Sequence, residues 1–323
     1  MRRILSAAAL CLAATAAGAQ SFPVKPLRIV VGYQPGGAAD MVTRVVAKGL
    51  GERMGQQVVV DNRPGAGGFI ANELVANSPP DGYTLLLANS SFAYIPGMFA
   101  GTKLKFDTRA DFIPVALVAT TQNVLVVHPA VPAKSVRELV AIARAHPGKL
   151  SYASGGIGGS THMATELFKS MTKTNILHVP YKGNGPSIVD LMSGQVDMTI
   201  APIPAMLPFI SGGARKLRAL ATTGLKRSAM LPDLPTIADS GVPGYDAGSW
   251  YGYMLPAKTP AAIVSTLERD IMAFGNSPQF AEQLKNGVGC EPSVLSSEKF
   301  RELIAAETQK WGKIIREAGI KGE

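Results

Sequence analysis

The chain contains the stretch Gly32-Tyr33-Gln34-Pro35-Gly36-Gly37-Ala38-Ala39-Asp40, a glycine-rich turn between an apolar strand-like run and a helix-like run. A second turn with the same context lies far downstream, at Ser154-Gly155-Gly156-Ile157-Gly158-Gly159-Ser160-Thr161-His162. Such a turn presents free backbone N–H groups and the positive end of a helix dipole, which suit an anion. Two of them favour a cleft that holds a carboxylate or a phosphate through main chain from both sides.

The first residues predict export. Arg2 and Arg3 form a short basic segment, and the apolar run 4–17 that follows is too short to predict a membrane span. Ala17-Gly18-Ala19 matches an A-x-A cleavage site, so residues 1–19 are predicted to be a signal peptide. Because no later segment is apolar enough to span a bilayer, we expect a soluble, periplasmic mature protein.

Composition limits the class of protein. The 323 residues include two cysteines, and removal of the signal peptide leaves only Cys290, so the mature chain can form no internal disulfide. Its length exceeds that of a usual single core, which favours two domains. Removing Arg2 and Arg3 lowers the net charge to 9 − 2 = +7. The basic residues are scattered and not interleaved with aromatics, which argues against a nucleic-acid partner.

Strand-like and helix-like runs alternate along the chain. Predicted strands include 27–31, 57–60, 83–88, 150–153 and 196–200, while 115–118 and 124–127 resemble one long path between domains. A capping box, Ser135 to Glu138, predicts the start of a helix, and Gly194 predicts the end of another. This alternation predicts α/β domains with largely parallel sheets, which bind ligands where their strands end. Both glycine turns follow such strands, so we expect two similar lobes facing each other across a cleft.

Rival functions find less support in the residues. Gly65-Ala66-Gly67-Gly68-Phe69-Ile70 begins like a dinucleotide fingerprint, but Ile70 stands where the third small residue belongs. No G-x-S-x-G elbow marks a hydrolase nucleophile. The four histidines show no zinc-motif spacing, although folding could still bring some of them together. We therefore expect no cofactor, no metal and no catalytic residues.

Further motifs add a family resemblance. They are Asp61-Asn62-Arg63-Pro64-Gly65-Ala66-Gly67-Gly68, Pro80-Asp81-Gly82-Tyr83-Thr84-Leu85-Leu86, Val179-Pro180-Tyr181-Lys182-Gly183, Gly194-Gln195-Val196-Asp197 and Glu307-Thr308-Gln309-Lys310-Trp311. Together with the two glycine turns, in this order and spacing, they resemble the substrate-binding proteins of tripartite tricarboxylate transporters, called Bug receptors or the TctC type. The chain departs from the usual family pattern at Gly32-Tyr33-Gln34, beside the expected ligand.

The resemblance implies the type II periplasmic-binding-protein fold, an α/β fold with two lobes, two crossover strands and a ligand cleft between the lobes. On this basis, lobe 1 comprises residues 20–122 and 248–323, and lobe 2 comprises residues 123–247. The two glycine turns are then expected to clamp one ligand carboxylate through main-chain amides and bridging water.

The candidate ligand-binding residues come from these turns and from neighbouring strand ends. They are Tyr33, Gly36, Gly37, Ala38, Asp40, Asn89, Ser90, Ser154, Gly155, Gly158, Gly159, Ser160, Thr161, His162, Tyr181, Lys182 and Asp197. Several have alternative interpretations. Asp40 in a first helical turn can complement the dipole, His162 can brace its own turn, and Tyr181 and Lys182 can be ordinary surface. Gly159 is expected to need the backbone freedom of glycine.

The sequence thus predicts a periplasmic receptor that binds a small organic acid between two lobes. As the resemblance implies, it would act as a monomer and deliver the acid to integral-membrane transporter subunits through transient contacts. Two alternatives remain: a carboxylate sensor for a membrane signalling partner, and an enzyme acting on a carboxylate in the same cleft.

Overall fold

In the computed structural model, the chain forms two α/β lobes, each built around one β-sheet. The structure describes residues 22–102, 104–210 and 217–321, so the predicted signal peptide 1–19 lies outside the described residues. Within those ranges, no helix is both long enough and apolar enough to cross a membrane. The predicted fold class, α/β with two lobes, is confirmed.

Lobe 1 contains a six-stranded sheet. Its strands are β1 (Leu27–Val31), β2 (Val58–Asn62), β3 (Thr84–Asn89), β4 (Phe112–Thr121), β10 (Ser249–Pro256) and β11 (Glu291–Leu295). Its helices are α1 (Ala38–Met54), α2 (Phe69–Ala76), α3 (Ser91–Met98), α8 (Ala261–Gly275), α9 (Pro278–Gln283) and α10 (Ser297–Ala318). The strand order is β11-β4-β10-β3-β1-β2, and β1 pairs in parallel with β2 and β3.

Lobe 2 contains a five-stranded sheet. Its strands are β5 (Asn123–Val127), β6 (Ser151–Ser154), β7 (Leu177–Pro180), β8 (Met198–Pro202) and β9 (Arg218–Thr222). Its helices are α4 (Val136–Ala145), α5 (Ser160–Thr172), α6 (Asn184–Ser193) and α7 (Ile203–Ile210). The strand order is β7-β6-β8-β5-β9, with β6 parallel to both β7 and β8.

Both sheets are mixed, so the prediction of largely parallel sheets was wrong. β10 pairs antiparallel with β3 and β4, and β5 pairs antiparallel with β8 and β9. For these two strands the cause is the passage of the chain between lobes, while β11, within lobe 1, also pairs antiparallel with β4. A strand that arrives from the other lobe starts at the cleft edge of its sheet, whereas strands that lead into cleft loops end there. β5 and β10 are these arriving strands, and they run against their neighbours.

Two passages connect the lobes and are tied to each other by buried hydrogen bonds. Asn123 follows the first passage, and its backbone N–H donates to Thr223 Oγ1 at 2.9 Å. Thr223 Oγ1 donates to the carbonyl oxygen of Ala247 at 3.0 Å, and Asn123 Nδ2 donates to the same oxygen at 2.7 Å. The lobe boundaries at 122–123 and 247–248 remain predictions, and the strands on either side of each boundary belong to different sheets.

We expect Thr223→Val to destabilise the protein by about 1–3 kcal/mol, because it removes the hydroxyl that joins the two passages and leaves buried groups unpaired. The measurement is equilibrium unfolding in urea, with circular dichroism as the readout. Thr266→Val, at a more exposed position on α8, is the matched control. A Thr223→Val variant that is no less stable than this control would contradict the importance of the buried network.

Candidate functional site

The first glycine turn, residues 32–37, joins the carboxyl end of β1 to the start of α1. Gly37 is the N-cap of α1, and no side chain caps it. The backbone N–H groups of Ala38 and Ala39 have no acceptor among the described residues. Because these donors and the helix dipole point the same way, the start of α1 offers a site for negative charge.

Asp40 braces this turn. Its Oδ2 accepts hydrogen bonds from the Gly36 N–H and from Arg44 Nε, both at 2.9 Å, and its Oδ1 accepts one from Asn62 Nδ2 at 3.0 Å. Burial acts to raise the pKa of Asp40, but the hydrogen bonds from Arg44, Gly36 and Asn62 outweigh it and hold the pKa below its ordinary value. The carboxylate is therefore charged and already occupied within the protein.

Tyr33 anchors the same turn to its neighbours. Its hydroxyl lies 2.8 Å from the carbonyl oxygen of Gly67, 3.0 Å from Asn89 Oδ1 and 2.8 Å from Ser91 Oγ. Burial is the main cause of a raised pKa for Tyr33, so the phenol stays protonated. Through this hydroxyl, the turns after β1, β2 and β3 are held in one arrangement.

The second glycine turn joins β6 to α5. The Gly155 N–H donates to Thr161 Oγ1 at 2.9 Å, and the Gly158 N–H donates to His162 Nδ1 at 3.1 Å. The N–H groups of Ser160 and Thr161 have no acceptor in the described part of the chain. The start of α5 thus repeats the arrangement at the start of α1.

Glycine is required in this turn, but at a different position from the one predicted. Gly158 has a φ of 75°, a region that L-residues other than glycine rarely adopt. Gly159 has a φ of −72°, which most residues can adopt. The expectation that Gly159 needs the conformational freedom of glycine was therefore wrong.

A stack of three aromatic rings supports the second turn from behind. The ring of His178 lies between those of Tyr152 and His162, at centroid distances of 4.6 and 4.3 Å. Glu166 Oε1 accepts hydrogen bonds from the Tyr152 hydroxyl at 2.6 Å and from Lys169 Nζ at 2.5 Å. Burial is the main cause of a lowered pKa for both histidines, and it brings the pKa of His178 to about 4.

The lobes approach each other closely where the turn after β2 meets the second glycine turn. A Cβ on Gly67 of lobe 1 would lie 3.1 Å from the carbonyl oxygen of Ile157 in lobe 2. This contact would be tight, and the φ of 64° at Gly67 lies in a region that residues other than glycine rarely adopt. The turns from the two lobes consequently face each other across a narrow cleft.

Two adjoining cavities occupy this cleft. The first, which we call the amide pocket, has a volume of about 440 Å³ and includes the starts of α1, α5 and α6 in its wall. The second, the apolar pocket, has a volume of about 590 Å³, and its wall includes residues 64–65, Phe69, Ile95, Met98, Phe99 and Ile157. Both are bordered by Tyr33, Gln34, Gly155, Lys182 and Gly183, and their volumes are typical of small-molecule sites.

Most of the predicted site residues line these pockets. Those in the wall of the amide pocket are Tyr33, Gly36, Gly37, Ala38, Asn89, Gly155, Gly159, Ser160, Thr161 and Lys182. Gly158 and Tyr181 line the apolar pocket. Asn89 Oδ1 is occupied by Tyr33 and Ser91, but its Nδ2 has no acceptor among the described residues and remains a donor at the wall.

Five predicted residues are not brought to either pocket: Asp40, Ser90, Ser154, His162 and Asp197. Asp40 and His162 brace the glycine turns, while Ser90 Oγ accepts a hydrogen bond from the backbone N–H of Trp250 at 3.0 Å. Asp197 precedes β8, at the opposite edge of the sheet from the cleft, and its Oδ2 accepts the Ser151 N–H at 2.7 Å. These hydrogen bonds occupy polar groups that the prediction had assigned to a ligand.

Ser154 could also be read as a nucleophile, because its Oγ lies 2.7 Å from His178 Nε2. However, Ser154 is only 1% exposed and borders neither pocket. The pair instead joins the second turn to the aromatic stack. No group of three or more His, Cys, Asp or Glu residues that could hold a metal occurs in the residues the structure describes.

The residues missed by sequence reasoning are mainly apolar or belong to the start of α6. Asn184, Gly185 and Pro186 line the amide pocket. The signal for them was present, since Gly183 and Pro186 bracket a helix start. No such signal marks the apolar wall of Phe69, Ile95, Met98 and Phe99, because the same apolar pattern on a helix also predicts a core position.

The electrostatics of both pockets favour an anion. Among the described lining residues of the two pockets there is no acidic side chain, and Lys182 is the one with a cationic side chain. The starts of α1 and α5 add unpaired amides with their partial positive charge. A carboxylate or phosphate at the amide pocket would meet donors from both lobes.

Two α/β lobes with a cleft between them are also the architecture of solved periplasmic binding proteins such as BugD, which is 31% identical to this chain with a TM-score of 0.83 over 94% of this chain and 100% of its own. The profile of the tripartite tricarboxylate transporter family receptors matches residues 42–320. Protein BugT of Bordetella pertussis is 36% identical over 99% of this chain and 99% of its own length. The chain therefore belongs to the tripartite tricarboxylate transporter receptor family, as the motifs predicted.

Solved structures of similar proteins agree with this family assignment. The R. palustris protein Rpa4515 with adipate is 37% identical, has a TM-score of 0.87 and is matched over 93% of this chain and 99% of its own. MatC from Rhodopseudomonas palustris with bound malate is 27% identical, with a TM-score of 0.82 over 91% of this chain and 100% of its own. These similarities confirm the predicted type II periplasmic-binding-protein fold.

The histidine stack predicts a pH dependence of stability. The pKa of His178 is about 4 in the folded protein, whereas an unfolded histidine titrates near about 6.5. Between these values the unfolded chain binds a proton that the folded protein does not, so stability falls as the pH is lowered from about 6.5 to about 4. His162, whose pKa is also lowered, adds to the same loss.

We therefore expect His178→Gln to reduce the fall in melting temperature between pH 7.5 and pH 5.0 relative to the unmodified protein. Differential scanning fluorimetry at the two pH values measures it, with His146→Gln, at an exposed position outside the stack, as the matched control. An equal effect of both substitutions would show that the stack is not the source of the pH dependence.

Proposed function

We propose that this protein is a periplasmic solute receptor that binds a small carboxylate between its lobes and delivers it to the membrane subunits of a tripartite tricarboxylate-type transporter. Residues 1–19 serve as its cleaved export signal, and the mature protein acts as a monomer with transient membrane contacts. The ligand carboxylate lies in the amide pocket, between the starts of α1 and α5.

The observation that carries this proposal is the convergence of unpaired amides from both lobes on one cavity. Ala38 and Ala39 contribute from lobe 1, and Ser160 and Thr161 contribute from lobe 2. Membership of the receptor family supports it, as do the adipate and malate present with two structural neighbours. A sensor for a membrane signalling partner would use the same cleft in the same way.

A thermal-shift screen against mono-, di- and tricarboxylates, amino acids and aromatic acids tests the proposal. A ligand at about 100 times its Kd should stabilise the protein by about 2.7 kcal/mol. The best ligand is then incubated with the protein and followed by NMR, and we expect no turnover because Ser154 and His178 border neither pocket. Stabilisation by no carboxylate, or conversion that scales with protein concentration after repurification, would refute the receptor function.

Removal of a single amide donor tests how the anion is held. Ser160 is the first residue of α5, where proline fits a helix, and the preceding Gly159 has an extended conformation that tolerates a following proline. Ser160→Pro therefore removes one N–H while the helix is kept. We expect a loss of affinity of about 10- to 100-fold by titration calorimetry, since a hydrogen bond to a charged group contributes about 1.5–3 kcal/mol.

Ser160→Ala is the control, because it removes the hydroxyl and keeps the N–H, and Lys182→Ala measures the side-chain charge. Both should weaken binding by no more than about 1 kcal/mol, the value of an exposed ion pair. If Lys182→Ala abolishes binding while Ser160→Pro does not, the anion is held by a side-chain charge and not by the helix starts.

A further inference from the structure

The apolar pocket restricts what the remainder of the ligand can be. It adjoins the amide pocket at Tyr33, Gln34 and Lys182, so a ligand whose carboxylate lies at the starts of α1 and α5 can extend into it. Lobe 1 contributes Phe69, Ile95, Met98 and Phe99 to its wall, and lobe 2 contributes Ile157. Both lobes therefore surround this part of the ligand.

The apolar wall is packed in place. The ring centroid of Phe69 lies 5.5 Å from that of Phe99 and 4.8 Å from that of Phe106. This packing fixes the rings of Phe69 and Phe99, which line the pocket. Ile95 and Met98 are each only 6% exposed, and Met98 also contacts the second turn, since a Cβ on Gly158 would lie 3.0 Å from its Cε. A rigid apolar wall favours an apolar group of the ligand.

Among the polar side chains around this pocket, Tyr33, Ser91 and Tyr181 are already hydrogen-bonded, whereas Gln34 also borders the amide pocket and so lies at the neck between the two. The Tyr33 hydroxyl and Ser91 Oγ lie 2.8 Å apart, and the carbonyl oxygen of Gly67 and Asn89 Oδ1 are within hydrogen-bonding distance of both, so the single proton of each hydroxyl has an acceptor inside the protein. The Tyr181 hydroxyl donates to Asp190 Oδ2 at 2.7 Å. A second carboxylate placed here would lose its water without gaining new partners among these groups, and a buried charge without partners is strongly disfavoured.

Lys182, the one cationic side chain among the described residues that line either pocket, is better placed for the first carboxylate. Lys182 borders both pockets, beside Gly183 at the neck between them, and its side chain is exposed. Among the described residues that line the apolar pocket, none beyond this neck carries a positive charge. Lys182 can therefore assist the helix starts, while the far end of the apolar pocket has no charged partner to offer.

We infer that the ligand is a monocarboxylate with an apolar body, the carboxylate lying in the amide pocket and the body in the apolar pocket. This inference rests on the proposed function and specifies the substrate class of the same cleft. It predicts that a second carboxylate at the far end of the molecule weakens binding, even when the carbon skeleton is unchanged.

Titration calorimetry with matched pairs of acids tests this directly. The three pairs are hexanoate with adipate, benzoate with terephthalate, and phenylacetate with 1,4-phenylenediacetate. Malate and an amino acid mixture represent ligands with polar bodies. In every pair that binds, we expect the monocarboxylate to bind at least about 10-fold tighter, equivalent to about 1.4 kcal/mol.

A variant that adds a charge to the apolar wall sharpens the test. Phe99→Lys places an ammonium at the far wall, so the preference should shift by about 10-fold or more towards the dicarboxylate of each pair. Leu177→Lys adds the same charge on β7, where Leu177 is 60% exposed and lies at the sheet edge away from the cleft, and should leave the preference unchanged.

The possible outcomes separate this inference from the proposed function. Equal or tighter binding of the dicarboxylate in any pair, or binding of polar-bodied acids alone, overturns the apolar monocarboxylate and leaves the receptor function intact. Binding of no carboxylate at all refutes the receptor function itself.

Discussion

The structure depends on one constraint: the first N–H groups of an α-helix have no partner within the helix. In both lobes a strand ends at the cleft and a glycine turn leads directly into a helix, α1 or α5, so these unpaired donors accumulate at the cleft. Neither helix has a side-chain cap, since Gly37 and Gly159 occupy the N-cap positions. Side chains in the first turn of each helix instead brace the glycine turns, as Asp40 does for Gly36 and His162 does for Gly158.

The mixed sheets bring these two helix starts together. Because β5 and β10 arrive from the opposite lobe, the chain passes twice between lobes near the cleft edge, and the buried bonds of Asn123, Thr223 and Ala247 join the two passages. This connection sets how the glycine turns face each other. The same closeness is visible at Gly67, where a Cβ would lie only 3.1 Å from the carbonyl oxygen of Ile157 in the other lobe.

Local signals made the fold and the glycine turns predictable, whereas tertiary contacts decided the rest of the site. The cap at Ser135 and the helix end at Gly194 appear as expected, because each depends on a few neighbouring residues. The position of Asp197 depends on which end of β8 faces the cleft. The motif that contains it, residues 194–197, does not indicate which end that is. The direction of β5 and β10 is likewise set by the passage of the chain between lobes. The apolar wall around Phe99 is formed by helix packing, and sequence periodicity does not distinguish a pocket-lining residue of a helix from a core residue.

The central claim is that amides from both lobes hold one anion. Amide ¹H–¹⁵N NMR during titration with the best-bound carboxylate tests it most directly, because an N–H that donates to a carboxylate shifts its proton resonance downfield. We expect downfield shifts at Ala38 or Ala39 and at Ser160 or Thr161, all following a single Kd. Shifts confined to one turn, or saturation of the two turns at different ligand concentrations, would contradict the claim.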